Sequence, residues 1–155
     1  VLCFVRPAIF WSGLDMHQIS DISADRQAIA VVGSVGLSAA DLAAAMLAQS
    51  EDCIKLLSID GHLDFMNCNG LSAMQIEEPH KVIGKLWWEL WPETSQALVQ
   101  AKFREAAEGI EASFEAICPT AKGASRRWSV NLRPLFAKDG PVVSILCTSR
   151  QIPAD

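Results

Sequence analysis

Apolar positions recur along this chain at a helical period in some stretches and at a strand period in others, and the changes of period mark its elements. Residues 1–36 keep no period: an apolar patch (Val1 to Val5, Ile9, Phe10, Trp11) is followed by a polar stretch from Asp15 to Gln27 and then a small-residue run. They read as a leader, either irregular or docking its aromatic patch on the domain or on a partner, because apolar surface of that kind seeks cover. At Leu37 the pattern becomes regular. Ser38 with Asp41 makes a capping box and Leu37 with Leu42 a hydrophobic staple, so a helix is predicted from Ser38 to about Gln49. Its narrow apolar stripe is Leu42, Met46 and Leu47.

From Cys53 the period falls to two. Residues 53–59 read as a strand and Asp60-Gly61 as a hairpin turn; residues 62–67 alternate Leu63 and Phe65 against His62 and Asp64. A helical middle follows, with a short turn at 69–76, a break at Pro79 and a compact apolar piece at 82–91. Pro92 to Ser95 open a further helix in which Val99, Phe103, Ala106 and Ile110 share one face, predicted to be core, with Gly109 as a stop signal. The last third alternates again: Phe114, Ala116 and Cys118 oppose Ser113, Glu115 and Ile117, and Trp128, Val130 and Leu132 oppose Arg127, Ser129, Asn131 and Arg133. A final apolar run at 141–149 follows a Lys138-Asp139-Gly140 turn. Helix, two strands, helical segment and three strands predict an α+β domain whose five-stranded sheet has one helix-covered face.

Composition narrows the partners. In 155 residues, 18 acidic side chains outnumber 13 basic ones for a net charge of −5, and no Lys/Arg-rich run exists, so no phosphate-backbone footprint and no nucleic acid partner are expected. The five cysteines are odd in number and form no CxxC pair, which argues against a disulfide framework or a zinc site and for reduced core residues in a cytoplasmic protein. Residues 28–48 are long enough to span a bilayer, but Asp41 lies well inside them at a cost of about 2.5–3.5 kcal/mol and no Lys/Arg cluster flanks them, so no membrane insertion is expected. Val1, a lone early Arg6 and five apolar letters do not make a signal peptide, and the chain reads as an excised fragment.

Several motifs stand in a suggestive order. Asp60 to Asn67 form a turn and second strand closing on Asn; Val82-Ile83-Gly84-Lys85 precede Trp91-Pro92-Glu93; Trp128 sits in the fourth strand; the Asp139-Gly140 turn and Ser149-Arg150-Gln151-Ile152 follow. On these motifs residues 37–152 resemble a Per-Arnt-Sim (PAS) sensor domain. The resemblance implies an antiparallel sheet in the order 2-1-5-4-3, helices on one face and often a small-molecule pocket between them. It also implies regulation rather than turnover, within a bacterial signalling chain such as a sensor histidine kinase of a two-component system, and relay to an output domain through a linker beginning at residues 153–155. Such domains often form homodimers through the helix before the first strand, here with Leu42, Met46 and Leu47 as the candidate interface. Two positions depart from the family: Gln151 stands where Asp is usual, and Pro153 where a linker helix would continue. The Asn-Cys-Arg-Phe motif of flavin-binding members has no match, since Asn67-Cys68-Asn69 ends the second strand and lacks Arg and Phe, and residues 95–110 hold no His to ligate haem. No cofactor is indicated.

Candidate chemistry is sparse. The chain has three His, no Tyr and no nucleophile elbow, phosphate loop or HExxH pair, so neither a catalytic nor a metal site is expected. Glu77-Glu78 and His80 read as solvated loop residues, and the cysteines sit in apolar settings that raise thiol pKa. Trp87 and Trp91 are predicted to share a face with Trp88 turned away, as ordinary core or as an aromatic wall. Phe65, Met74, Leu90, Phe103, Trp128, Leu132 and Ile145 are the side chains predicted to line any cavity between helices and sheet, suited to a small apolar ligand. The favoured function is a sensory and dimerisation module of a cytoplasmic signalling protein that perceives such a ligand or a partner. The alternatives are a flavin or haem receptor and a small α+β enzyme.

Overall fold

A computed structural model describes residues 30–138 and 140–153; the aromatic patch read into the leader and the centre of the Lys138-Asp139-Gly140 turn lie outside them. The chain divides into two compact units, residues 1–45 and 46–155. In the first, residues 30–34 are helical rather than irregular, and Gly36 turns the chain at φ +76°. Helix α1 (Ala39–Gln49) then begins where the capping box placed it: the Ser38 hydroxyl accepts the Asp41 N–H at 3.0 Å and donates to Asp41 Oδ2 at 2.6 Å. The helix buries none of its residues, and Met46 is 64% exposed. The turn at Gly36 divides the apolar stretch 28–48, and among the described residues no helix is long and apolar enough to cross a membrane.

The second unit is an antiparallel sheet in the order β2-β1-β5-β4-β3, built from β1 (Cys53–Leu57), β2 (Leu63–Met66), β3 (Ala112–Ile117), β4 (Arg127–Phe136) and β5 (Val142–Ile152). Between β2 and β3 come helix α2 (Cys68–Ala73), two 3-10 turns (Pro79–Lys81 and Trp87–Leu90) and helix α3 (Glu93–Ala107). This is the α+β architecture that the sequence pattern predicted and the strand order that the PAS resemblance implied. Registered rows cross the sheet, one running Met66, Lys55, Cys147, Leu132, Ala112 and the next Cys53, Ser149, Val130, Phe114. These rows face the helices and form the floor of the core.

Three local features depart from the simple periods. First, the register of β2 slips at Asp64, so that Leu56 pairs Phe65 while Leu57 pairs Leu63. A bulge reverses the facing of residues beyond it. Leu63 and Met66 therefore turn inward, and Phe65 joins Leu56 on the opposite face instead of sharing a side with Leu63. Second, α3 ends at Ala107. The Gly109 N–H bonds to Ala106 and the Ile110 N–H to Glu105, a Schellman closure that Gly109 permits at φ +91°. Val99, Phe103 and Ala106 are buried as predicted, but Ile110 lies past the turn and is 57% exposed. Third, β5 continues beyond Ser149 to Ile152, because the backbone of Arg127 to Ser129 needs ladder partners.

The β1–β2 hairpin also fixes the tryptophan segment. Gly61, at φ +89°, lies directly under the Trp88 ring, so a side chain there would meet strain and the indole together. Trp88 packs on Phe103 with ring centroids 5.3 Å apart, facing away from Trp87 and Trp91. Cys53, Cys118 and Cys147 are buried, whereas Cys68 is exposed at the first position of α2, against the expectation of an apolar strand setting.

Candidate functional site

A cavity of about 250 Å³ lies between the sheet and the helical segment. Its sheet side is Cys53 and Lys55 of β1, Met66 of β2, Trp128 of β4 and Ser149 of β5, and its aromatic wall is Trp87 and Trp91 with Leu90. Met74, Ile76 and Val82 face the loop residues Pro119, Thr120 and Ala121 at its rim. Trp87 and Trp91 meet edge to face at 5.8 Å with planes 88° apart, and Phe114 closes on Trp91 at 5.6 Å. The Trp128 indole N–H is already spent on the Cys118 carbonyl at 3.3 Å, which leaves its ring as an apolar surface.

The rim is clasped. The Ala121 N–H donates to the Met74 carbonyl at 2.9 Å, the Thr120 hydroxyl donates to Gln75 Oε1 at 2.6 Å, and Lys122 pairs Glu77. Hydrogen bonding to Lys122 holds the exposed Glu77 carboxyl below its ordinary pKa, a solvated ion pair rather than a catalytic one. Glu78 likewise pairs Lys81 and His80 in the solvent.

Of the residues expected to line a cavity, the fold brings Met74, Leu90 and Trp128 to this one. Phe65 is carried to the other face by the bulge at Asp64. Phe103, Leu132 and Ile145 do not line it; they are buried in the core cluster where α3 packs against β3, β4 and β5.

Sequence reasoning passed over Lys55, which is only 6% exposed and lines the cavity. A signal for it existed, since Lys55 stands midway between Cys53 and Leu57 on the inward side of β1. Ile54 and Leu56 are equally apolar, so alternation alone did not say which side faced the core. The ammonium donates to Ser149 Oγ at 2.9 Å and approaches Cys147 Sγ at 4.0 Å. Burial is the largest influence on it and works to discharge it; the sulfurs of Cys147, Cys53 and Cys118 work the other way, leaving it above the ordinary lysine pKa. Burial also pushes the Cys147 thiol up and the Cys118 thiol up to about 11.

Two polar ties connect the site to the chain's entry and exit. Asn67 caps α2: its Oδ1 accepts the N–H groups of Ile54 (2.9 Å) and Gly70 (3.0 Å), and its amide donates to the carbonyls of Leu47 (3.2 Å) and Asp52 (3.1 Å). Arg150, next to the cavity residue Ser149, grips Asp52 through two bonds of 2.8 and 2.9 Å and holds that carboxyl below its ordinary pKa.

The family model described as "PAS fold" matches residues 47–154. The chain belongs to this family. PAS domains are generally regulatory sensor modules rather than enzymes, and they commonly dimerise. Among solved structures, this PAS domain is similar to one from Colwellia psychrerythraea, at 15% identity with a TM-score of 0.65, over 74% of this chain and 98% of that one. It is also similar to the PAS domain of an HTR-like protein from Haloarcula marismortui, at 21% identity and a TM-score of 0.59, over 70% and 92% of the two chains. A LOV protein from Rhodobacter sphaeroides follows at 17% identity and a TM-score of 0.61, over 70% and 64%. At these identities the likeness is one of fold. A comparison with curated proteins gives no match.

Proposed function

We propose that this PAS domain is the sensory module of a cytoplasmic signalling protein, that it takes a small ligand with an apolar body into the cavity beside Trp87, Trp91 and Trp128, and that it relays occupancy to an output domain. The observation that carries this reading is the cavity itself, lined by three indoles and joined to the exit strand through Ser149. A ligand shifts a domain between two arrangements only through different contacts in each. Here any ligand touching Lys55 or Ser149 acts on the pairing of β1 with β5, one residue before Arg150 meets Asp52. Asn67 carries the other end, since one amide holds β1, α2 and the last turn of α1 together. The volume lies below the ~300–1,000 Å³ usual for small-molecule clefts, which favours a ligand of one or two rings over a flavin or haem.

Native mass spectrometry of the purified protein tests this directly. A retained small molecule, released on unfolding, is the expected result; a visible absorption band would favour the cofactor-receptor reading instead. The unburied stripe of α1 is proposed as a homodimer contact through Leu42, Met46 and Leu47. A Leu42→Glu, Met46→Glu double variant is expected to sediment as a monomer under conditions where the parent is a dimer, and identical sedimentation of the two would remove the proposal.

A further inference from the structure

We propose that the ligand is an aromatic monocarboxylate, its carboxylate on Lys55 Nζ and Ser149 Oγ and its ring among Trp87, Trp91 and Trp128. This rests on the sensory reading above and adds the charge and chemical class of what is sensed. Lys55 is a buried cation, and among the described residues none of the Asp or Glu side chains pairs with it. An ammonium has three N–H donors, and the protein offers this one a hydroxyl at 2.9 Å, the Cys147 sulfur at 4.0 Å and the Cys53 side chain, none of them a carboxylate. Burying an ion without its partner costs several kcal/mol, so an apolar residue would serve the core better if packing were its purpose. The adjoining space is where a counter-ion would go, because Lys55 and Ser149 both line it.

The rest of the lining selects among anions. Among the described residues it contains no acidic side chain to compete for the ammonium, and burial pushes the neighbouring Cys118 thiol up to about 11, so it brings no charge at neutral pH. One cation balances one negative charge; a phosphate monoester carries about −1.5 to −2 and would enter with charge unmet. Beyond the polar corner and Thr120 the described lining is apolar and includes three indoles, which suits a planar ring better than a polar chain. Lys55 also joins the neighbouring strands β1 and β5 on the sheet side of the cavity through Ser149, so a carboxylate that takes over one of its hydrogen bonds would act directly on the exit strand.

The test pairs acids with their neutral isosteres: 4-methylbenzoate against 4-methylbenzamide and indole-3-acetate against indole-3-acetamide, titrated by calorimetry into the full chain at pH 7.5. In at least one pair the acid is expected to bind tenfold or more tightly than the amide. Lys55→Met should erase that preference by weakening the acid far more than the amide, and Ser149→Ala should weaken the acid several-fold. Equal binding of acid and amide, binding of amides alone, or an undiminished acid preference in K55M would each overturn the carboxylate assignment and leave the sensory cavity standing. Failure of all four probes would overturn both. If K55M does not fold by circular dichroism, the acid-to-amide ratio in the parent chain decides the matter.

Discussion

Trp87→Ala is expected to lower the free energy of unfolding by about 3–5 kcal/mol, the range for deleting a large aromatic side chain from a packed core. Trp87 is 1% exposed, meets Trp91 edge to face and lies 6.3 Å from Phe114. The upper part of that range applies because the site cannot collapse: Trp87 already borders a cavity of about 250 Å³, and its removal would join a new void to the old one. Urea denaturation followed by far-ultraviolet circular dichroism measures the loss. The same variant should accept bulkier neutral aromatics than the parent, with partial recovery of the midpoint as they bind. Trp88→Ala should cost less, since that ring is only half-buried against Phe103 and Gly61. A loss at Trp87 below that at Trp88 would mean that the aromatic wall does not anchor the segment.

Asn67→Ala comes next, at about 4 kcal/mol, because four hydrogen bonds each worth about 1 kcal/mol net converge on one buried amide. In a domain of this size that corresponds to a fall in melting temperature of roughly 10–20 °C. Asn67→Asp separates the two halves of the role. A carboxylate can still accept from the Ile54 and Gly70 N–H groups, but it has no N–H for the Leu47 and Asp52 carbonyls. Asn67→Asp should therefore keep α2 capped while the end of α1 loosens, seen as faster amide exchange at the α1 C-terminus with the strands still protected. Uniform loss of protection across sheet and helix would contradict a tie between separable elements.

The expectations that failed share one cause. Alternation gives the facing of a strand only while the register is unbroken, and a bulge at Asp64 sent Phe65 to the outer face. Helical spacing grouped Ile110 with Val99, Phe103 and Ala106 although Gly109 had been read as a stop; the Schellman turn ended the helix first. Phe103, Leu132 and Ile145 do face inward, yet they lie in the core away from the cavity beside Lys55, because only the packing of α3 on the sheet says which inward side chains border that space.

The sequence by itself determined the elements, their order and the antiparallel α+β class, because hydrophobic periods, a capping box and turn residues act over a few neighbours and can be read without knowing the rest of the fold. Asn67 was visible as the close of a strand. Only the tertiary structure decided that its amide ties α1, β1 and α2 at once, that Trp128 joins Trp87 and Trp91 around one space, and that Lys55 faces it. Those facts depend on which residues far apart in the chain are brought together. A lysine flanked by apolar residues on both faces of a strand reads the same in sequence whether its ammonium reaches water or lies sealed beside Ser149; the helices packed over the sheet settle which.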